Sequence, residues 1–233
     1  MIRLATLSLL LFTATHTSAQ EAKQKTRDSC YYSPSIAIGG LAGISFSNGS
    51  VWSTHKRIET GSLVSLKIGV VAEFETARNL YLQPGIAYTT NGYWIIPDAG
   101  SGTVSIRVHA IEFPLNIQYK VHIGRGAGLF FGAGAYYSRT ISAERVNNTA
   151  PKSTTDLMIG PNEDAGIASG MFGWSVNSGY QARNAIFFRV AWQNGLSDYI
   201  PGDQGASYHP YQLNFCLGYL FKTSKQKSKI KTL

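Results

Sequence analysis

The feature that most constrains this chain is a hydrophobic alternation of period two that recurs from one end to the other. From Val64 the even positions read Val64, Leu66, Ile68, Val70, Ala72 and Phe74, while the odd ones read Ser65, Lys67, Gly69, Val71 and Glu73. A period of two puts one set on each face of a β-strand. The pattern returns in Ile36 to Phe46, Leu80 to Tyr88, Val104 to Lys120, Leu129 to Ser138, Phe172 to Tyr180, Ile186 to Trp192 and Leu213 to Phe221, giving eight candidate strands. In the fourth of these the apolar phase moves from Val104, Ile106 and Val108 to Ile111, Phe113 and Leu115, which predicts a bulge near Ala110. Pro84 and Pro114 fall inside strands and predict local gaps in the ladder.

The connections alternate in length. Ser47–Gly61, Trp94–Thr103, Ala143–Ser169 and Ser197–Pro210 are long and polar, whereas Glu75–Asn79, Lys120–Ala127 and Gln181–Asn184 are short. This is the plan of an all-β, eight-stranded antiparallel up-and-down transmembrane barrel of an outer membrane, with short periplasmic turns and both termini periplasmic. Only 15% of the 233 residues are charged, against about a quarter in soluble domains. A soluble lipocalin-type barrel shares the alternation but needs a greasy interior. Here the non-greasy face carries Lys67, Glu73, Arg107, His109, Glu112, Asn116, Gln118, Arg189, Gln193, Gln212 and Asn214, which fit a paired, partly hydrated lumen. On the greasy face Tyr88, Tyr119, Tyr137, Trp174, Tyr180, Trp192, Tyr219 and Phe221 lie near strand ends, as interfacial aromatics do.

The flanks complete the division of the chain. Residues 1–19 read as a secretory signal peptide: Met1-Ile2-Arg3, an apolar stretch from Leu4 to Ala14, and Thr17-Ser18-Ala19 before the cut. Residues 20–34 form a periplasmic N-terminal segment, 35–221 the barrel and 222–233 a lysine-rich tail. The formal net charge is +8, and Lys222, Lys225, Lys227, Lys229 and Lys231 account for most of it, so no basic face for nucleic acid remains. Cys30 and Cys216 show no metal-site spacing and are expected to stay unbonded, with Cys216 facing the lumen.

The segments Leu66–Phe74, Leu82–Tyr88, Ile111–Lys120, Phe131–Tyr136 and Leu217–Phe221 resemble those of the PorT-like outer-membrane β-barrel family of Bacteroidetes, over roughly residues 35–221. The resemblance implies a barrel and, through the family's namesake, an association with type IX secretion. In this chain a lysine-rich tail follows Phe221, where the last strand usually ends the chain.

No constellation of residues demands catalysis. His109 with Glu112 and Ser105 is the nearest to one, and Asp156, Glu163, Asp164, Asp198 and Asp203 lack the tight spacing of a calcium loop. The sequence therefore reads as a non-enzymatic barrel, structural or secretion-associated, without a cofactor. Its partners would be outer-membrane lipid and lipopolysaccharide, and other envelope or type IX secretion proteins. A narrow ion channel and a lipid-active enzyme are the alternatives. Within the lumen, Lys67, Glu73, Glu112 and Arg189 are expected to form a structural charge network, because buried charges persist only when paired or hydrated.

Overall fold

The computed structural model describes residues 35–53, 56–58, 60–95, 103–123, 127–148, 151–160, 166–198 and 206–222. The signal peptide, the N-terminal segment with Cys30, and the tail beyond Lys222 lie outside the described residues. So do Glu163, Asp164 and Asp203. Eight long strands form one antiparallel sheet: β1 (Ile36–Ser53), β3 (Thr60–Ala77), β4 (Leu80–Ile95), β5 (Val104–His122), β6 (Gly128–Asn147), β8 (Gly170–Gln181), β9 (Ile186–Gly195) and β10 (Ala206–Lys222). Two short strands, β2 (Lys56–Ile58) and β7 (Ser153–Asp156), extend the hairpins beside β1 and β6. Each long strand pairs with the next, and β1 pairs with β10 from Ala37↔Lys222 to Ser53↔Ala206, so the sheet closes on itself.

The strands outrun the alternation on which their prediction rested. β1 continues through Ser53 and β10 begins at Ala206, in stretches read from sequence as polar loop. Polar side chains hold this extension together: Thr60 Oγ1 donates to Asn48 Oδ1 at 2.7 Å, and Trp94 Nε1 donates to the Ser62 carbonyl at 3.1 Å. Long connections fall at this end and short ones at the other, where residues 78–79, 123–127 and 182–185 join the strands.

The outward face is apolar. Ile38, Ile44, Val64, Leu66, Ile68, Val70, Ile86, Leu115, Ile117, Phe131 and Leu217 are all exposed, and all eight aromatics named above point outward. A strand face this greasy is stable against lipid and not against water.

The irregularities have local causes. Pairing of β4 with β5 lapses at Gly85 and Ile86, opposite Pro114 and Phe113, and resumes in the same register at Ala87, because Pro114 has no N–H to give. The bulge near Ala110 exists, but its extra residue is Ile141 on β6: His109 pairs with Ser142 and Ala110 with Thr140. β5 itself runs without interruption, so its even residues face inward from Val104 to Lys120. Arg107 and His109 therefore face outward, contrary to their expected place in the lumen. What changes along β5 is the interior, which turns from polar to apolar at Ala110, Val108 and Val104.

The facing of Val70 gives a depth test. Val70→Arg, in the middle of the outward run Val64–Phe74, should cost about 2–4 kcal/mol, and Tyr119→Arg, near the strand end, about 0–1 kcal/mol. Urea unfolding from lipid vesicles measures both; equal costs would reject the assigned depths.

Candidate functional site

Among the described residues, charged and amide side chains converge in the lumen, which is built in three layers. At the end with the short turns, Ala37, Leu41, Val71, Phe130, Ala185, Phe187, Cys216 and Leu220 form an apolar cluster. At the end with the long connections, Tyr93, Val108, Tyr136, Ala143, Ile167, Met171 and Tyr208 form a second. Ile167, which follows β7 and precedes β8, is 2% exposed and packs into this cluster at the barrel mouth. Tyr93 and Tyr208 meet there with ring centroids 4.5 Å apart.

Between the clusters lies a polar layer. Lys67 Nζ is paired with Glu112 Oε2 and donates to Gln193 Oε1 at 2.8 Å. Gln193 and Gln212 donate to the two Glu112 oxygens at 3.3 and 3.5 Å, so this fully buried carboxylate is hydrogen-bonded on both sides. Asn214 Nδ2 donates to Gln193 Oε1 at 2.7 Å and its Oδ1 accepts from Ser45. Such saturation is what permits an ion pair to sit in low dielectric, where desolvation costs several kcal/mol per ion.

A second ion pair stands nearer the short turns. Lys120 Nζ donates to Glu73 Oε1 at 2.6 Å, to Oε2 at 2.7 Å and to Gln181 Oε1 at 2.7 Å, with the Tyr81 ring 4.6 Å away. Gln83 and Gln118 bridge toward the third cation. Gln83 Oε1 accepts from Arg189 Nη2 and, at 3.1 Å, from Gln118 Nε2, while Gln118 also reaches Asn177 Oδ1 at 3.1 Å. Arg189 stacks its guanidinium against Phe187 at 5.3 Å and Phe130 at 5.9 Å.

Of the four residues expected to share a network, the structure pairs Lys67 with Glu112 and places Glu73 and Arg189 on opposite sides of Gln83. The partner of Glu73 is Lys120, which sequence reasoning treated as a strand end. Its parity with Glu112, Asn116 and Gln118 was the available signal. His109 and Glu112 lie on opposite faces of β5: His109 Nδ1 is 2.6 Å from the Tyr88 hydroxyl on the outside, so no His–Glu pair forms. Arg107 meets Glu144 outside at 3.7 Å. Asp198 accepts from the Tyr208 N–H at 2.9 Å, Asp156 is exposed on β7, and no group of three metal-ligating side chains comes together among the described residues. Cys216 is a free buried thiol on the inward face.

A cavity of about 40 Å³ lies beside Lys67 and Arg189, and one of about 10 Å³ under Tyr93 and Tyr208. Around these cavities the polar layer holds two ion pairs and the Arg189 guanidinium.

The model of a family described as outer membrane protein beta-barrel domain matches residues 19–200. No curated protein matches the chain in sequence. Among solved structures it is similar to Neisserial surface protein A, with TM-score 0.45 and 10% identity over 80% of this chain and 97% of that one. It is similar to OprG of Pseudomonas aeruginosa, with TM-score 0.46 and 12% identity over 81% and 96%. It is also similar to Ail, the attachment invasion locus protein of Yersinia pestis, with TM-score 0.38 and 11% identity over 82% and 100%.

The buried pair makes a clear prediction. Lys67→Met leaves Glu112 charged and unpaired and should cost about 3–5 kcal/mol, whereas Lys67→Met with Glu112→Gln should cost less than the sum of the two single changes. A double-mutant cycle on unfolding from detergent or vesicles measures this; strict additivity would mean the pair carries no coupling.

Proposed function

The chain belongs to the outer membrane protein beta-barrel domain family and resides in the outer membrane, and from that premise we propose that it is a non-enzymatic barrel with a structural or secretion-associated role. The single observation that supports this reading is the filled lumen: apolar clusters occupy both ends and ion pairs with their amide partners occupy the middle. An eight-stranded barrel has room for side chains and little else, and these side chains use it. With the interior committed to stability, what remains for recognition is the two ends.

The long connections and extended hairpins would face the cell exterior, the short turns the periplasm, and both termini would be periplasmic after removal of a signal peptide. The longer end carries the side chains suited to contact, with Met158 and Leu196 exposed on connections rather than on the lipid face. The resemblance to PorT-like barrels makes components of an envelope secretion apparatus the first partners to look for, and lipopolysaccharide the surrounding lipid. A non-enzymatic role also agrees with the separation of His109 from Glu112 across the barrel wall.

The test is affinity purification of the tagged barrel from cross-linked outer membranes, beside a variant in which residues 149–165 are replaced by a short Gly-Ser turn. The reading expects defined envelope proteins with the native barrel and their loss with the variant. Recovery of a lone monomer in both cases, or turnover of membrane lipid by the purified barrel, would overturn it.

A further inference from the structure

Five lysine, arginine and glutamate side chains are buried in the lumen among the described residues, and their charges do not cancel. Lys67, Lys120 and Arg189 stand against Glu73 and Glu112. Each carboxylate is held by a lysine, Glu112 by Lys67 and Glu73 by Lys120. Arg189 has no carboxylate within ion-pair distance, and its Nε has no hydrogen-bond partner, although the residue is only 7% exposed. An unpaired guanidinium N–H in such surroundings is costly, and the stacking on Phe130 and Phe187 does nothing for that group's proton.

Arg189 borders the cavity of about 40 Å³, whose wall is largely apolar, with Leu41, Val71, Ala87, Pro114 and Ala191 in it, and carries a few polar groups. Lys67 also lines it, as do Asn116, Asn177, Gln193 and Cys216, and neither Glu73 nor Glu112 does. The amide oxygens in the wall are already taken: Asn116 Oδ1 accepts from Ser175 Oγ at 2.9 Å and from Asn177 at 3.4 Å, and Gln193 Oε1 accepts from Lys67 and Asn214. Two cations and committed acceptors leave a site whose free capacity is for donating to a guest. Roughly 10–15 Å³ admits one water-sized body, so the space suits a monatomic ion and excludes a large organic anion.

We propose that this cavity is a binding site for a single halide-sized monovalent anion, chloride in the natural setting, which neutralises the odd lumen cation and receives the free Arg189 N–H. Water alone would satisfy the hydrogen bond and leave the charge. The anion is a structural ligand: it binds the closed barrel and has no site once the strands separate. It therefore stabilises the fold by mass action, lowering the unfolding constant about 100-fold at a concentration 100 times its dissociation constant.

The test is urea unfolding of the full barrel in a neutral detergent, with sodium chloride or bromide titrated against sodium gluconate at constant ionic strength so that screening is unchanged. The expected result is a saturable rise of the urea midpoint with chloride and bromide and none with gluconate. Two variants separate the causes. Arg189→Gln removes the cation, and Ala191→Leu fills the cavity while keeping every charge; both should lose the halide dependence. Bromide-soaked crystals of the unmodified barrel give an independent reading should either variant not fold, and should show anomalous density beside Arg189. Equal midpoints in halide and gluconate, a halide effect that survives Ala191→Leu, or a cavity holding water only would overturn the proposal.

Discussion

A membrane interior offers no water to a backbone N–H or C=O, and the rest of this structure follows from that constraint. An open sheet leaves two unpaired edges, each group costing several kcal/mol in hydrocarbon. Closure of β1 on β10 removes them: seventeen residues of each strand are matched, from Ala37 with Lys222 to Ser53 with Ala206. Once the sheet is closed, inside and outside are fixed for every residue by parity, since a slip of one residue would exchange the two faces. The outside then becomes the lipid surface carried by residues such as Ile68, Val70 and Ile117. The inside becomes a narrow tube that the chain must fill with whatever the inward parity provides.

Filling that tube poses an electrostatic problem that the chain solves in layers. Apolar clusters at both ends exclude water, which strengthens every charge interaction between them and raises the cost of any charge left unpaired. The amides of Gln193, Gln212 and Asn214 surround the Lys67–Glu112 pair, and those of Gln83, Gln118 and Gln181 surround the Lys120–Glu73 pair and Arg189. Glycines keep the layers compact where bulky side chains cross the axis. At Gly218, for instance, a Cβ would come within 2.3 Å of the Phe187 ring. The interior is thus a core of unusual polarity, which is why the proposed function looks to the two rims.

Much of this is legible in the sequence because parity is a strict code. The inward places of Lys67, Glu73, Glu112, Asn116, Gln118, Arg189, Gln193, Gln212 and Asn214 follow from counting by two within each strand. Arg107 and His109 defeat the count. The usual sign, greasy out and polar in, reverses above Ala110 because the mouth is plugged by Val108, Tyr93, Tyr136 and Met171 while the outer surface there leaves the hydrocarbon. The reversal of phase is real but belongs to the environment, and the bulge that accompanies it sits on β6 at Ile141. The hairpin extensions were invisible for a related reason: outside the membrane neither face is greasy, so strands such as the last part of β1 carry no alternation. Lys120 was hidden by its place at a strand end, where a lysine ordinarily reaches water. Which cation meets which carboxylate depends on shear and strand neighbours, and no single-strand pattern encodes that.

The central proposal is that the lumen is a side-chain-packed core and not a pore. Reconstitution of the folded barrel in planar bilayers in 1 M potassium chloride tests it most directly. A filled lumen gives a quiet, voltage-independent baseline with no discrete current steps, whether or not the long connections have been trimmed. Reproducible unitary openings from the intact barrel, altered in size or ion selectivity by Lys67→Met or Arg189→Gln, would contradict it.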